Sequence, residues 1–203
     1  MTIYTVPSGV LHANCYLLTQ DGKTAVLIDC GGTEALNFAA QKGLKIEYVL
    51  LTHGHFDHIG GCAATQASGA KIGCSKDELD VINGEGNLAR QMGIPVTPFT
   101  VDFTFKDGDS FELCGIPFFV IATPGHTPGG VCFLIEQAVL SLLKEIFGLD
   151  VNIGRTDFPG GSMSTLISSV KKLFAISGDK TVYPGHDETT TLDHERKYNP
   201  YAQ

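Results

Sequence analysis

Three imidazoles and a carboxylate fall within six positions of this chain: His53, His55, Asp57 and His58. They lie in the run Thr52-His53-Gly54-His55-Phe56-Asp57-His58-Ile59-Gly60-Gly61, directly after the apolar stretch Tyr48 to Leu51. Neutral imidazole and carboxylate are ligands that Zn²⁺ or Fe²⁺ accept, and a strand ending in a Gly-rich turn can hold them rigidly. In an extended chain, residues two apart point the same way. Alternation therefore directs His53, His55 and Asp57 together and turns His58 elsewhere, so one run can serve two adjacent metals.

Two further histidines sit in turns of similar make. His126 lies in Thr123-Pro124-Gly125-His126-Thr127-Pro128-Gly129-Gly130, after the apolar run Phe118 to Ile121. His186 lies in Tyr183-Pro184-Gly185-His186-Asp187, after Thr181-Val182. In both, Pro-Gly ends a strand and lifts the imidazole off the sheet edge. Such a turn alone is an ordinary exposed loop; two of them behind a His-x-His-x-Asp-His run form a constellation. Of the seven histidines, five lie in these three turns, and His12 and His194 read as surface residues. Asp29, ending an apolar run before Gly31-Gly32, reads as a structural acceptor for backbone N–H groups rather than a ligand.

With these motifs the chain resembles the metallo-β-lactamase superfamily, and within it the glyoxalase II-like hydrolases. The likeness includes Val26-Leu27-Ile28-Asp29, the three histidine turns, the run from Ile153-Gly154-Arg155-Thr156-Asp157-Phe158 to Ser162, and the closing Asn199-Pro200. The resemblance implies a four-layer αββα sandwich of mixed α/β class spanning residues 1–203 as one domain, in a short form without a helical C-terminal domain. It also implies that His53, His55 and His126 hold one metal, and that Asp57, His58 and His186 hold a second. The cofactor expected is one or two Zn²⁺, with Fe or Mn as substitutes.

One piece of the pattern is altered. The family carries a Ser/Thr-Gly-Asp-x-Leu-Phe segment whose Asp bridges the two metals. Matching Ile146-Phe147 to its Leu-Phe places Leu143 at the Gly and Lys144 at the bridging Asp. An ammonium there replaces a negative charge beside two cations. At ~4 Å and an effective dielectric of ~20, each unit charge pair is worth about 4 kcal/mol, enough to leave one site under-filled.

The resemblance implies hydrolysis of a small acyl thioester, such as an acyl-glutathione, and these ligands suit that chemistry. Divalent cations lower the pKa of a bound water toward neutrality and take up charge that develops on a carbonyl oxygen. Asp57 would orient that nucleophile besides serving as a ligand. Arg155 either contacts an anionic substrate or braces its own turn through Asp157. Two alternatives belong to other classes: a mononuclear iron enzyme like the persulfide dioxygenases, and a degenerate domain that kept the fold but lost catalysis. Metal content separates the three.

The elements that must position these residues can be read from pattern. Strands are expected near 2–6, 14–19, 24–29, 45–51, 70–73, 110–114, 116–122 and 131–135, with Gly115 closing a hairpin. Helices are expected near 34–42, from His58 to Ser68, from Ser75, from Ser162 to Phe174, and from about Glu188. Ser75 and Glu78 have capping-box spacing. Residues 83–100, with three Gly and two Pro, read as a long loop near the site.

Composition bounds the partners. At 203 residues, 43% hydrophobic and 18% charged, the chain has the make-up of a globular protein. A net charge of -8 without a basic cluster argues against nucleic acid. No apolar run reaches the ~18 residues of a membrane span, and Met1-Thr2-Ile3-Tyr4 lacks a secretory pattern. Six cysteines without a Cys-x-x-Cys pair read as buried free thiols, so the location expected is the cytoplasm.

Overall fold

The computed structural model describes residues 1–135, 138–141, 154–186 and 188–202. Its first sheet runs β1 (Thr2–Ser8), β2 (Ala13–Thr19), β3 (Thr24–Ile28), β4 (Lys45–Leu50), β5 (Lys71–Ser75) and β6 (Phe103–Phe105), in that spatial order. β1 to β3 pair antiparallel, whereas β3 to β6 pair parallel. The second sheet is ordered β12 (Thr190–Thr191), β11 (Thr181–Pro184), β10 (Ala138–Ser141), β9 (Val131–Ile135), β8 (Ile116–Ala122) and β7 (Ser110–Leu113).

The layering follows from two-sided alternation. On β2 and β3, Cys15, Leu17, Ala25 and Leu27 face one cluster, and Tyr16, Leu18, Val26 and Ile28 face another. A strand apolar on both faces must be covered on both. The first cluster lies under α1 (Glu34–Gln41) and α3 (Cys62–Ala67), which contribute Ala35, Ala39 and Cys62. The second lies between the sheets, where Phe118, Val120 and Phe133 meet Tyr16, Ile28 and Leu50. A third packs Ile121, Cys132 and Val182 under α6 (Met163–Phe174) and α7 (Leu192–Tyr198), through Leu166, Val170, Leu173 and Leu192. The result is the αββα sandwich. Among the described residues no helix is long and apolar enough to cross a membrane.

Several local expectations are corrected. The helix expected from His58 to Ser68 is split into α2 (Phe56–Ile59) and α3 by Gly60 and Gly61. Gly61 donates its N–H to the Cys30 carbonyl at 2.7 Å, and a Cβ there would lie 2.0 Å from the Gly32 oxygen. The backbone of 30–32 thus takes the place of the next helical turn. No capping box forms at Ser75: a 3₁₀ turn, Lys76–Glu78, precedes α4 (Leu79–Asn83), and the Ser75 side chain makes no cap bond. The final helix starts at Leu192 rather than near Glu188, because Thr190–Thr191 is first used as an edge strand and Thr191 then caps the helix. Strands β6 and β10 carry too few residues to show a period. The long loop contains a short helix, α5 (Ala89–Met92).

The sheets are tied at one edge. Val131 donates its N–H to the Thr52 carbonyl at 2.9 Å, and Asn14 donates to the Gly185 carbonyl at 2.6 Å. At that edge the histidine turns leave β4, β8 and β11.

Candidate metal centre

His53 and His55 follow β4 across Gly54. The chain is still extended at His55 (φ -70°, ψ 148°) before α2 begins. With His126 they form a group in which one ring nitrogen from each residue lies within 4.8 Å of the others. Ring centroids are 4.7 Å apart for His53–His55, 4.5 Å for His55–His126 and 5.2 Å for His53–His126.

A second group brings Asp57, His58 and His186 within the same span. Asp57 Oδ2 stands 3.2 Å from His186 Nε2 and 3.6 Å from His58 Nε2. Strand alternation fails here for a physical reason: α2 starts at Phe56, so Asp57 swings round with His58 instead of continuing beside His55. The rings of His53 and His58 are 4.2 Å apart, so the two groups share a wall.

Bonds behind the rings set which nitrogen points inward. His126 Nδ1 lies 2.8 Å from the Arg155 carbonyl, an acceptor only, so that nitrogen carries the proton and Nε2 presents a lone pair. His58 Nδ1 stands 2.8 Å from Asp29 Oδ2 and is fixed in the same way. Thr52 gives its hydroxyl proton to Asp29 Oδ2 at 2.7 Å, which leaves its oxygen to accept from His53 Nδ1 at 3.2 Å. Acceptors behind ligating histidines orient them in this manner and raise their basicity.

Asp29 therefore does more than the sequence suggests. It accepts the Thr52 N–H at 2.8 Å, as a backbone acceptor should, and it also orders two rings. It holds a left-handed backbone, φ 58°, to do so.

The remaining turns are placed by residues that carry no sequence signal. Asn14 Nδ2 donates to the Pro184 carbonyl at 3.1 Å and the Tyr16 hydroxyl donates to the same oxygen, anchoring the His186 turn. Both are buried polar residues inside an otherwise apolar strand. Glu78 Oε1 accepts from Gly54 N at 2.9 Å and Oε2 from Gly129 N at 2.7 Å. Arg155 is exposed, pairs with Asp157 through bonds of 2.9 and 2.7 Å, and lies 4.3 Å over the Phe158 ring. Phe158 in turn packs edge-on against His55 and His126. His12 and His194 are exposed, as expected. Residues 142–153, with Lys144, lie outside the described residues, as does Asp187.

The electrostatics suit a cation. Burial, then the neighbouring imidazoles, hold His53 well below the ordinary histidine value, so it stays neutral. Burial alone would raise Asp57, but the electrostatic pull of the His58 ring and the contact with His186 outweigh it and keep the carboxylate ionised. His53 Nε2 is buried and, among the described residues, has no hydrogen-bond partner. An inward lone pair of that kind is costly unless an electrophile meets it, and neutral imidazole with carboxylate is a divalent-metal donor set. The residues fit a metal.

A four-layer sandwich with His and Asp groups converging at one sheet edge is the layout of a metal-binding class of proteins. The chain belongs to the metallo-β-lactamase superfamily, whose model matches residues 8–140. The hydroxyacylglutathione hydrolase GloC of Haemophilus influenzae is 32% identical over 208 residues, covering 99% of this chain and 98% of that protein. The crystal structure of BLEG-1 B3 metallo-β-lactamase superimposes with a TM-score of 0.88 at 30% identity, over 98% of this chain and 99% of that one. TTHA1623 in a di-iron-bound form superimposes with a TM-score of 0.83 at 32% identity, with the same coverage.

Proposed function

We propose that this chain is a metal-dependent hydrolase of small acyl thioesters, with acyl-glutathiones as the substrate class. The observation that carries the reading is the pair of donor groups sharing one wall, His53/His55/His126 and Asp57/His58/His186, each within 4.8 Å. The likeness to a hydroxyacylglutathione hydrolase over nearly the full length of both chains supports the substrate class.

When bound, a divalent metal supplies Lewis acidity and a water made acidic enough to ionise near neutral pH. The chain's own residues do the rest. His53, His55 and His126 would hold the first cation through inward lone pairs, and Asp57, His58 and His186 the second. Asp57, besides serving as a ligand, would accept a hydrogen bond from that water and orient it. A thioester suits this arrangement because the thiolate leaves without needing a protonating acid, and no such acid is required of the site. Zn²⁺ is the metal we propose; iron is its competitor, given a structural relative in a di-iron-bound form.

The Lys144 substitution bears on occupancy. We propose a single metal or an under-filled pair, and weak hydrolysis in consequence. Metal analysis of purified protein, paired with release of free thiol from an acyl-glutathione, tests both statements. Leu143→Gly combined with Lys144→Asp is expected to raise metal content and hydrolysis together. Two fully occupied, carboxylate-bridged metals in the unaltered chain contradict the under-filling, and a fully metallated chain without thioesterase activity contradicts the function.

A further inference from the structure

Glu78 is a carboxylate at 0% exposure that stands outside both donor groups. A carboxylate is tolerated in such a place only when its oxygens are bonded. Its two oxygens accept from different turns: Oε1 from Gly54, which separates His53 and His55, and Oε2 from Gly129, which closes the His126 turn.

Both contacts are close by design of the backbone. A Cβ at Gly129 would lie 2.5 Å from Glu78 N and 2.7 Å from Glu78 Oε2. A Cβ at Gly54 would lie 2.7 Å from Ile82 Cγ1 and 3.1 Å from Ile82 N. The segment from the end of β5 into α4 is thus pressed against the two turns whose histidines make up the first group. An Asp at 78 would fall one methylene short of spanning them, and a neutral Gln would place an amide N–H against one of the two donors.

We propose that Glu78 is a positioning residue, a carboxylate clamp that holds the turn bearing His53 and His55 at the separation from His126 that one cation requires. The inference rests on the reading that this group takes a metal.

The test uses the full chain, metal-free, titrated with Zn²⁺ in competition with a chromogenic chelator, and the absorption spectrum of the Co²⁺-loaded protein. A His186→Ala background, which removes a donor of the second group, assigns any change to the first. In Glu78→Ala the Zn²⁺ dissociation constant is expected to rise about 10- to 100-fold, with an altered Co²⁺ spectrum. Glu78→Gln, which keeps one acceptor, is expected to fall between that variant and the unaltered chain. If Glu78→Ala does not fold, Glu78→Gln carries the test by the same two readouts. A merely structural role lowers the melting temperature but leaves affinity and spectrum unchanged in the folded variant, and that result overturns the clamp. An unaltered chain that takes up no Zn²⁺ overturns the metal reading, and the clamp with it.

Discussion

His55 sits at the junction of the site, its ring 4.7 Å from His53 and 4.5 Å from His126, with its Nδ1 2.8 Å from His126 Nε2. Replacing it with Ala removes one of three donors and opens the group to water. His55→Ala is expected to lose the metal bound by the first group and all thioester hydrolysis, as read by metal analysis and thiol release. Undiminished metal content in that variant contradicts the ligand assignment. The neutral state of His53 has its own consequence. Its folded value is depressed by burial and by neighbouring imidazoles, so below about pH 6.5 the unfolded chain takes up a proton that the folded, metal-free protein refuses. This contribution to stability is fully present above about pH 6.5 and declines as the pH falls below it. The melting temperature of chelator-treated protein is therefore expected to drop between about pH 7 and about pH 5; a flat or rising profile contradicts the reading.

The turns between elements are built on backbone contacts that exclude side chains. At Gly61 an added Cβ would lie 2.0 Å from the Gly32 oxygen, and neither backbone can retreat without breaking the Gly61-to-Cys30 bond. Gly61→Ala is expected to cost about 3 kcal/mol or more in denaturant unfolding, at the upper end of overpacking effects. Gly22, at φ 70° with nothing within 4 Å, is the contrast: Gly22→Ala carries only the left-handed backbone cost of about 1 kcal/mol. Gly185 falls between them. Its Cβ would lie 3.0 Å from His58 Cε1, so Gly185→Ala is expected to tilt that ring and weaken metal binding by the second group while the fold persists. Equal stability losses at all three glycines would contradict this account of the turns.

Across the molecule, the cysteines follow the layering. Cys15, Cys30, Cys62, Cys74 and Cys132 are buried, and Cys114 alone is partly exposed. Burial pushes the Cys74 thiol up to about 12, away from the reactive thiolate. Titration of the native protein with a disulfide reagent is therefore expected to modify Cys114 first and the other five only on unfolding. Prompt native reaction of several thiols would mean that the layers open far more readily than the close-packed clusters suggest.

Much of this protein can be read directly from the chain. Alternation on both faces of β2 and β3 demands cover on each side, and the three histidine turns mark a candidate metal-binding edge by residue type and spacing alone. The Asp57 grouping was reachable only through likeness to a family, because strand alternation assigns it to the wrong partners once a helix begins at Phe56. Apart from Asp29, the residues behind the site were not legible. Asn14, Tyr16 and Glu78 are polar side chains in apolar or helix-like surroundings, and Ser75 with Glu78 mimics a capping box. Their partners lie far along the chain: Asn14 and Tyr16 bond the carbonyl of Pro184, and Glu78 reaches the N–H groups of Gly54 and Gly129. Periodicity and propensity record what a residue does with its near neighbours. Which buried oxygen meets which distant backbone group is decided when the sheets pack, and only the tertiary structure states it.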